Sequence, residues 1–135
     1  MEVKQISAAL GAEITNVDLA QVSDDQVEEI KSLLIEHKVI FFPGQKLSQD
    51  EHVEYGAKFG ELEGHPNLKN KTVTHPKIFE LAASSGGIAD EWHTDITFQD
   101  SPAIMSVLHM VKCPELGGDT TVSYTHLRAH ETRFY

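Results

Sequence analysis

SDDQVEEIKSLLIEHKVIFFPG, residues 23–44, holds a helix start, a helix, a buried strand and a turn in immediate succession. Ser23 followed by Asp24, Asp25 and Gln26 is a capping-box signature, and Val27, Ile30, Leu33 and Leu34 then fall on one helical face. The pattern predicts a helix over about 24–37. The next residues, KVIFF, are β-branched and aromatic, and Pro43-Gly44 ends them in a turn, as a buried strand requires.

Upstream, VKQI (3–6) and AEITNV (12–17) read as short strands turned at Gly11, a hairpin. Downstream, Ser48 and Glu51 form a second capping box that opens a helix, and Gly60 closes it. Residues 61–71 are polar and loop-like, KIFELA (77–82) has strand character, and SSGGIADE (84–91) is a Gly- and Ser-rich loop. AIMSVLHMVK (103–112) reads as a further strand that Pro114 to Gly118 turns. Helices first and strands afterwards suggest an α+β fold with an antiparallel sheet.

The bulk properties narrow the function. A chain of 135 residues with 40% hydrophobic content suits one domain with a core. A formal charge of −10 argues against a nucleic-acid surface, which needs clustered Lys and Arg, and favours small-molecule partners. Cys113 is the single cysteine, and MEVKQISAAL has neither a basic nor an apolar leader region, which favours a cytoplasmic location. The longest apolar run, Val39 to Phe42, falls far short of the roughly 20 residues of a spanning helix, so no membrane segment is expected.

Chemistry concentrates in EWHTDITF, residues 91–98. In a strand, His93 and Asp95 point to the same face and can converge on one ion, while Thr94 points away. One imidazole and one carboxylate suit a borderline divalent metal, and a second His from elsewhere would complete a 2-His-1-carboxylate facial triad. The tripeptide alone is unspecific, because a surface His and a turn Asp give the same letters.

The context is more specific. GAEITNVDL, VIFFPGQKLS, FGELEGHP, WHTDITF and GGDTT occur in that order between residues 11 and 121. Together they resemble the taurine dioxygenase family of Fe(II)- and 2-oxoglutarate-dependent enzymes, over roughly residues 6 to 121. The resemblance implies a double-stranded β-helix of the jelly-roll type with N-terminal helices, incomplete in this chain. It makes His93 and Asp95 iron ligands, with the third supplied by a distal His and no further catalytic side chain. It makes Thr120 the residue that hydrogen-bonds a carboxylate of the cosubstrate 2-oxoglutarate; without the family, Thr120 is a strand Thr after a Gly-Gly turn. The implied reaction takes O2 and a small organic acid, with decarboxylation of 2-oxoglutarate to succinate. Members of the family often self-associate, so a homo-oligomeric parent is a further expectation.

His65 matches a His that contacts the sulfonate in taurine-specific members, although an imidazole beside a loop Pro is equally a surface residue. Leu68 and Ala89 stand where those members have Tyr and Asn. Losing two polar contacts points away from taurine and toward a larger or more apolar sulfonate, sulfate ester or carboxylate. Trp92 and Phe98 are expected to pack around the ligand segment, and His109, isolated in an apolar stretch, to be structural.

The last residues read differently. VSYTHLRAHET (122–132) resembles the conceptual translation of the constant adapter used in transposase-based sequencing libraries. Residues 122–135 as a whole hold two Arg and one Glu, which makes the tail basic where the chain before it is acidic. The division expected is therefore 1–121 as the N-terminal part of a dioxygenase domain and 122–135 as non-native. The distal His and the Arg that pairs with 2-oxoglutarate would then be missing, and the chain inactive as written.

Two alternatives remain open. One is a genuine short protein that binds a metal or small acid without oxidation, completed by His126 or His130, whose i, i+4 spacing shares a helical face. The other is a metal-dependent hydrolase with Glu91 as general base, on the same strand parity as His93 and Asp95.

Overall fold

Ser23 caps the first helix as its sequence predicts. Its hydroxyl accepts from the Gln26 backbone N–H, and the Gln26 side chain accepts from the Ser23 N–H, so two otherwise unpaired donors are satisfied within four residues. A computed structural model describes residues 1–63, 75–81, 91–95 and 97–124 of the chain. Their regular elements are strand β1 (Glu2–Gln5), strand β2 (Ala12–Thr15), helix α1 (Asp24–His37), strand β3 (Ile40–Phe41) and helix α2 (Gln49–Ala57). The hairpin, both helices and the strand after α1 stand where the sequence puts them, but that strand is not the buried one expected, since Ile40 is half-buried and Phe41 exposed. No helix among the described residues is long and apolar enough to cross a membrane.

The sheet has the order β1-β2-β3 and is mixed. β1 and β2 pair antiparallel with Val3 opposite Ile14, whereas β2 and β3 pair parallel with Ala12 opposite Ile40. This corrects the expectation of an antiparallel sheet. A helix between two strands returns the chain in its starting direction, which a tight turn cannot do. Gly11, at φ +98°, makes the junction: its N–H donates to the His37 carbonyl at 2.8 Å, and Ala12 N–H donates to Val39 O at 3.2 Å. A Cβ on Gly11 would stand 3.0 Å from Ile6 Cγ1, so both its backbone angle and its packing favour glycine.

The chain forms two compact units, residues 1–46 with 110–135 and residues 47–109. In the first, Ala12, Ile14, Leu19, Val22, Val27 and Ile30 make the core. The helix presents Val27 and Ile30 to it, while Leu33 and Leu34 are half-buried. Gln45 ties the chain after β3 back to the turn after β2, accepting from Leu19 N–H and donating to Val17 O, each at 3.0 Å. In the second unit, Tyr55 and Phe59 are buried and meet edge to face, with ring centroids 5.1 Å apart. Ser48 and Glu51 cap α2 with the second reciprocal pair, and the hydrogen bonds from Ser48 hold the Glu51 carboxyl below the usual carboxylate range.

Three strand expectations are corrected. The described residues of 77–82, 91–98 and 103–112 are irregular, bent or turned and belong to no ladder. Apolar alternation selects a face to bury, but a strand exists only when a neighbour takes up its N–H and C=O groups. In 103–111 the faces are present without the partner: Met105, Val107 and His109 are half-buried, and Ile104, Leu108, Met110 and Val111 are exposed. The helices-then-strands order is corrected with them, since the paired strands flank α1. The turn at 114–118 is present, with Gly117 and Gly118 at φ +76° and +74°. The jelly roll that the resemblance implies is not assembled among the described residues.

Ile30 is 1% exposed and Ile35, on the same helix, 73% exposed. Ile30→Ala is expected to cost about 2–5 kcal/mol. Ile35→Ala should stay within about 0.5 kcal/mol, both read from urea unfolding followed by helical circular dichroism. Burial pushes the Tyr55 hydroxyl up to about 12. The fold therefore favours the neutral phenol; that contribution is complete below the unfolded value near 10 and disappears as the pH rises through 12. Alkaline unfolding of the second unit should fall in that window. Tyr55→Phe, which keeps the packing, should remove the dependence, and an unchanged alkaline profile would count against this origin.

Candidate metal centre

The segment that carries His93 and Asp95 holds them together without a sheet. Residues 92–94 have no regular structure, the chain bends at Asp95, and Thr97 and Phe98 form a turn. His93 Nε2 nevertheless lies 3.4 Å from Asp95 Oδ1. The two side chains belong to the second unit and are exposed, at 55% and 69% respectively.

The other ring nitrogen explains the orientation. His93 Nδ1 is 2.8 Å from the Glu91 carbonyl oxygen, which can only accept, so Nδ1 carries the hydrogen in this contact. In the neutral ring, Nε2 then presents its lone pair toward a carboxylate oxygen. Two facing acceptors are satisfied by a metal ion, a proton or a water that donates to both, so the pair is open to a cation. A ring N–H donated to a backbone carbonyl is also the usual arrangement for a metal-ligating His.

The spacing fits the same reading. Two donors each about 2.1 Å from one ion are about 3.0 Å apart at a right angle and about 3.4 Å apart at the tetrahedral angle. The pair therefore fits two neighbouring positions on a divalent cation. Among the described residues no group of three His, Cys, Asp or Glu side chains converges to hold a metal. Glu91 accordingly does not join the pair as a third ligating group, and with no strand among the described residues of 91–98 the strand parity of Glu91 with His93 and Asp95 is lost. Its contribution is its carbonyl, a role that no residue-type pattern announces.

The remaining predicted positions distribute as follows. Thr120 is exposed in the first unit and lines a cavity of about 410 Å³ with Ile6, Leu10, Val39, Phe41 and Tyr124. His65, Leu68, Ala89, His126 and His130 lie outside the described residues. Trp92 and Phe98, expected to pack around the ligand segment, are largely exposed. His109 meets His52 of α2 edge to face at 5.7 Å, and His52 Nε2 is 3.0 Å from Val107 O. His109, isolated in its own apolar stretch, thus has a ring partner on α2. Residue type alone does not mark Thr94 and Thr97, whose hydroxyl oxygens are 2.7 Å apart beside the ligand pair. The T-x-x-T spacing across a turn is the signal that could have found them.

Comparisons with known proteins agree with the motif order. The chain is 39% identical over 93% of its length to an alkylsulfatase of Acinetobacter baylyi, of which it covers 40%. It is 37% identical, again over 93% of its length, to an alpha-ketoglutarate-dependent sulfate ester dioxygenase of Pseudomonas putida, of which it covers 42%. The chain thus spans about two fifths of the curated relatives it matches. Among solved structures, a taurine dioxygenase from Burkholderia xenovorans superposes with a TM-score of 0.50 at 38% identity, over 56% of this chain and 27% of that one. Finally, the taurine catabolism dioxygenase TauD, TfdA family matches residues 2–127, a span that runs past Thr121 into the segment set apart by its sequence. With nearly its whole length inside that match, the chain belongs to the TauD/TfdA family of dioxygenases.

Proposed function

We propose that residues 1–121 are the N-terminal part of an Fe(II)- and 2-oxoglutarate-dependent dioxygenase that hydroxylates a small organic acid. The observation that carries the reading is the His93–Asp95 pair, 3.4 Å apart with Nδ1 held by a backbone carbonyl, inside a chain of this family. His93 Nε2 and an Asp95 carboxylate oxygen would hold the iron. Once bound with 2-oxoglutarate and O2, that group supplies oxidation of a substrate C–H bond to C–OH, coupled to loss of CO2 from 2-oxoglutarate and formation of succinate.

This chain's own residues orient and bind. The Glu91 carbonyl keeps His93 in the tautomer that leaves Nε2 free. Thr120 is assigned to a carboxylate of 2-oxoglutarate, its hydroxyl being a neutral donor for that oxygen. His65 is assigned to the anionic head of the substrate. Loss of the polar contacts at Leu68 and Ala89 disfavours taurine, and the names of the two bacterial relatives favour a sulfate ester among the acids considered. A homo-oligomeric, cytoplasmic parent and an assembled jelly roll belong to the same proposal.

Residues 122–135 are assigned to a non-native tail, and the 135-residue chain to an inactive form. Among the described residues no third His, Cys, Asp or Glu joins the pair, and two protein ligands hold iron weakly. The non-oxidative alternative, a small metal-binding protein completed by His126 or His130, is separated by mutation.

His93→Ala and Asp95→Ala should each abolish Mn(II)-induced broadening of the nuclear magnetic resonance signals of residues 91–95. His126→Ala and His130→Ala should leave it unchanged, and loss of binding in either would favour the short metal-binding protein. The purified 135-residue chain should form no succinate from 2-oxoglutarate and an alkyl sulfate. The parent, read past the Thr121 codon by long-read sequencing of DNA prepared without that adapter, should form it in an Fe(II)-dependent way. Robust turnover by the short chain would refute its assignment as inactive.

A further inference from the structure

We propose that Thr94 and Thr97 are positioning residues for the His93–Asp95 pair, acting through the hydrogen bond between their hydroxyls. The inference rests on the metal reading above and concerns residues that reading does not use.

In a pleated strand, residues two apart share a face because ladder bonds fix the backbone on both sides. Here that constraint is missing: the chain bends at Asp95 and turns at Thr97 and Phe98. Something else must keep the Asp95 carboxylate beside the imidazole. Thr94 Oγ1 and Thr97 Oγ1 are 2.7 Å apart, at the centre of the range for a hydroxyl–hydroxyl bond.

The bond joins residues that precede and follow Asp95 in sequence and so restrains the segment that carries the ligand. The pair thus has two anchors, one for each donor: the Glu91 carbonyl orients His93, and the threonine clasp orients Asp95. Because His93 and Asp95 lie 3.4 Å apart, a modest rotation at Asp95 would take its oxygen out of reach of an ion shared with Nε2. Thr94 and Thr97 are both exposed, so water competes for their hydroxyls and the clasp is expected to affect orientation more than stability. Supporting groups of this kind act on metal affinity without touching the metal.

The test uses the 135-residue chain and Mn(II) as the probe, with binding read from paramagnetic broadening of the residue 91–95 signals, which reports even weak association. Thr94→Val and Thr97→Val keep the side-chain shape and remove the bond; each should raise the Mn(II) dissociation constant about tenfold, the lower end for loss of a supporting hydrogen bond. Thr94→Ser and Thr97→Ser keep a hydroxyl and should bind like the unaltered chain. The double valine variant should be no weaker than either single one, because the same bond is lost once. Valine variants that bind normally, serine variants as weak as valine, or additive effects of the two valines would each overturn the clasp. Broadening that is missing in the unaltered chain, or that survives His93→Ala, would overturn the metal reading and the clasp with it. Broadening that needs His93 but ignores both hydroxyls would remove the clasp alone.

Discussion

Two backbone hydrogen bonds, from Gly11 N–H to His37 O and from Ala12 N–H to Val39 O, fix how the N-terminal unit is built. They fasten the end of α1 and the start of β3 to the beginning of β2, so helix and strand must lie together on the hairpin. Val27 and Ile30 are then buried with Ile14, and the apolar stripe of α1 has a surface to cover. Lys38 turns the chain between helix and strand with a positive φ of 66°, an unusual choice for a side chain of its size. Its N–H still donates to Leu34 O at 2.8 Å, so the turn completes the helix end as well as redirecting the chain.

What could be read from the sequence follows from how local each signal is. Both helices announce themselves through Ser-x-x-Gln and Ser-x-x-Glu boxes, and the caps form as written. The hairpin at Gly11 and the strand after Lys38 depend on short patterns of the same kind. The parallel pairing of β2 with β3 was less legible, because direction is set by the crossover rather than by either strand. The segments 77–82, 91–98 and 103–112 carry the composition of strands, but pairing is a property of two segments and one of the two is not found among the described residues.

The site shows the same division. His93 and Asp95 stood out because spacing and residue type both suit a metal, and the structure brings the two side chains together. The reason expected for their meeting, a strand pleat, is not the one found. A backbone carbonyl and a pair of threonine hydroxyls take that part, and neither has a compositional signature strong enough to be noticed beside a histidine and a carboxylate. Thr120, in the other unit, drew attention only through the family's GGDT motif, since a threonine after two glycines is ordinary in a turn.

The two reciprocal caps also bear on the order of events as the chain folds. Each is closed within four consecutive residues, so α1 and α2 can nucleate from contacts that require almost no loop to be ordered first. Helix formation of this kind runs on the order of a microsecond. The pairing of β2 with β3 has to await α1, because their register is joined through the helix, and it carries the larger entropic cost of a nonlocal contact. The nascent chain therefore acquires its helices while its sheet is still searching, and the slow step of its assembly lies in the strand pairing.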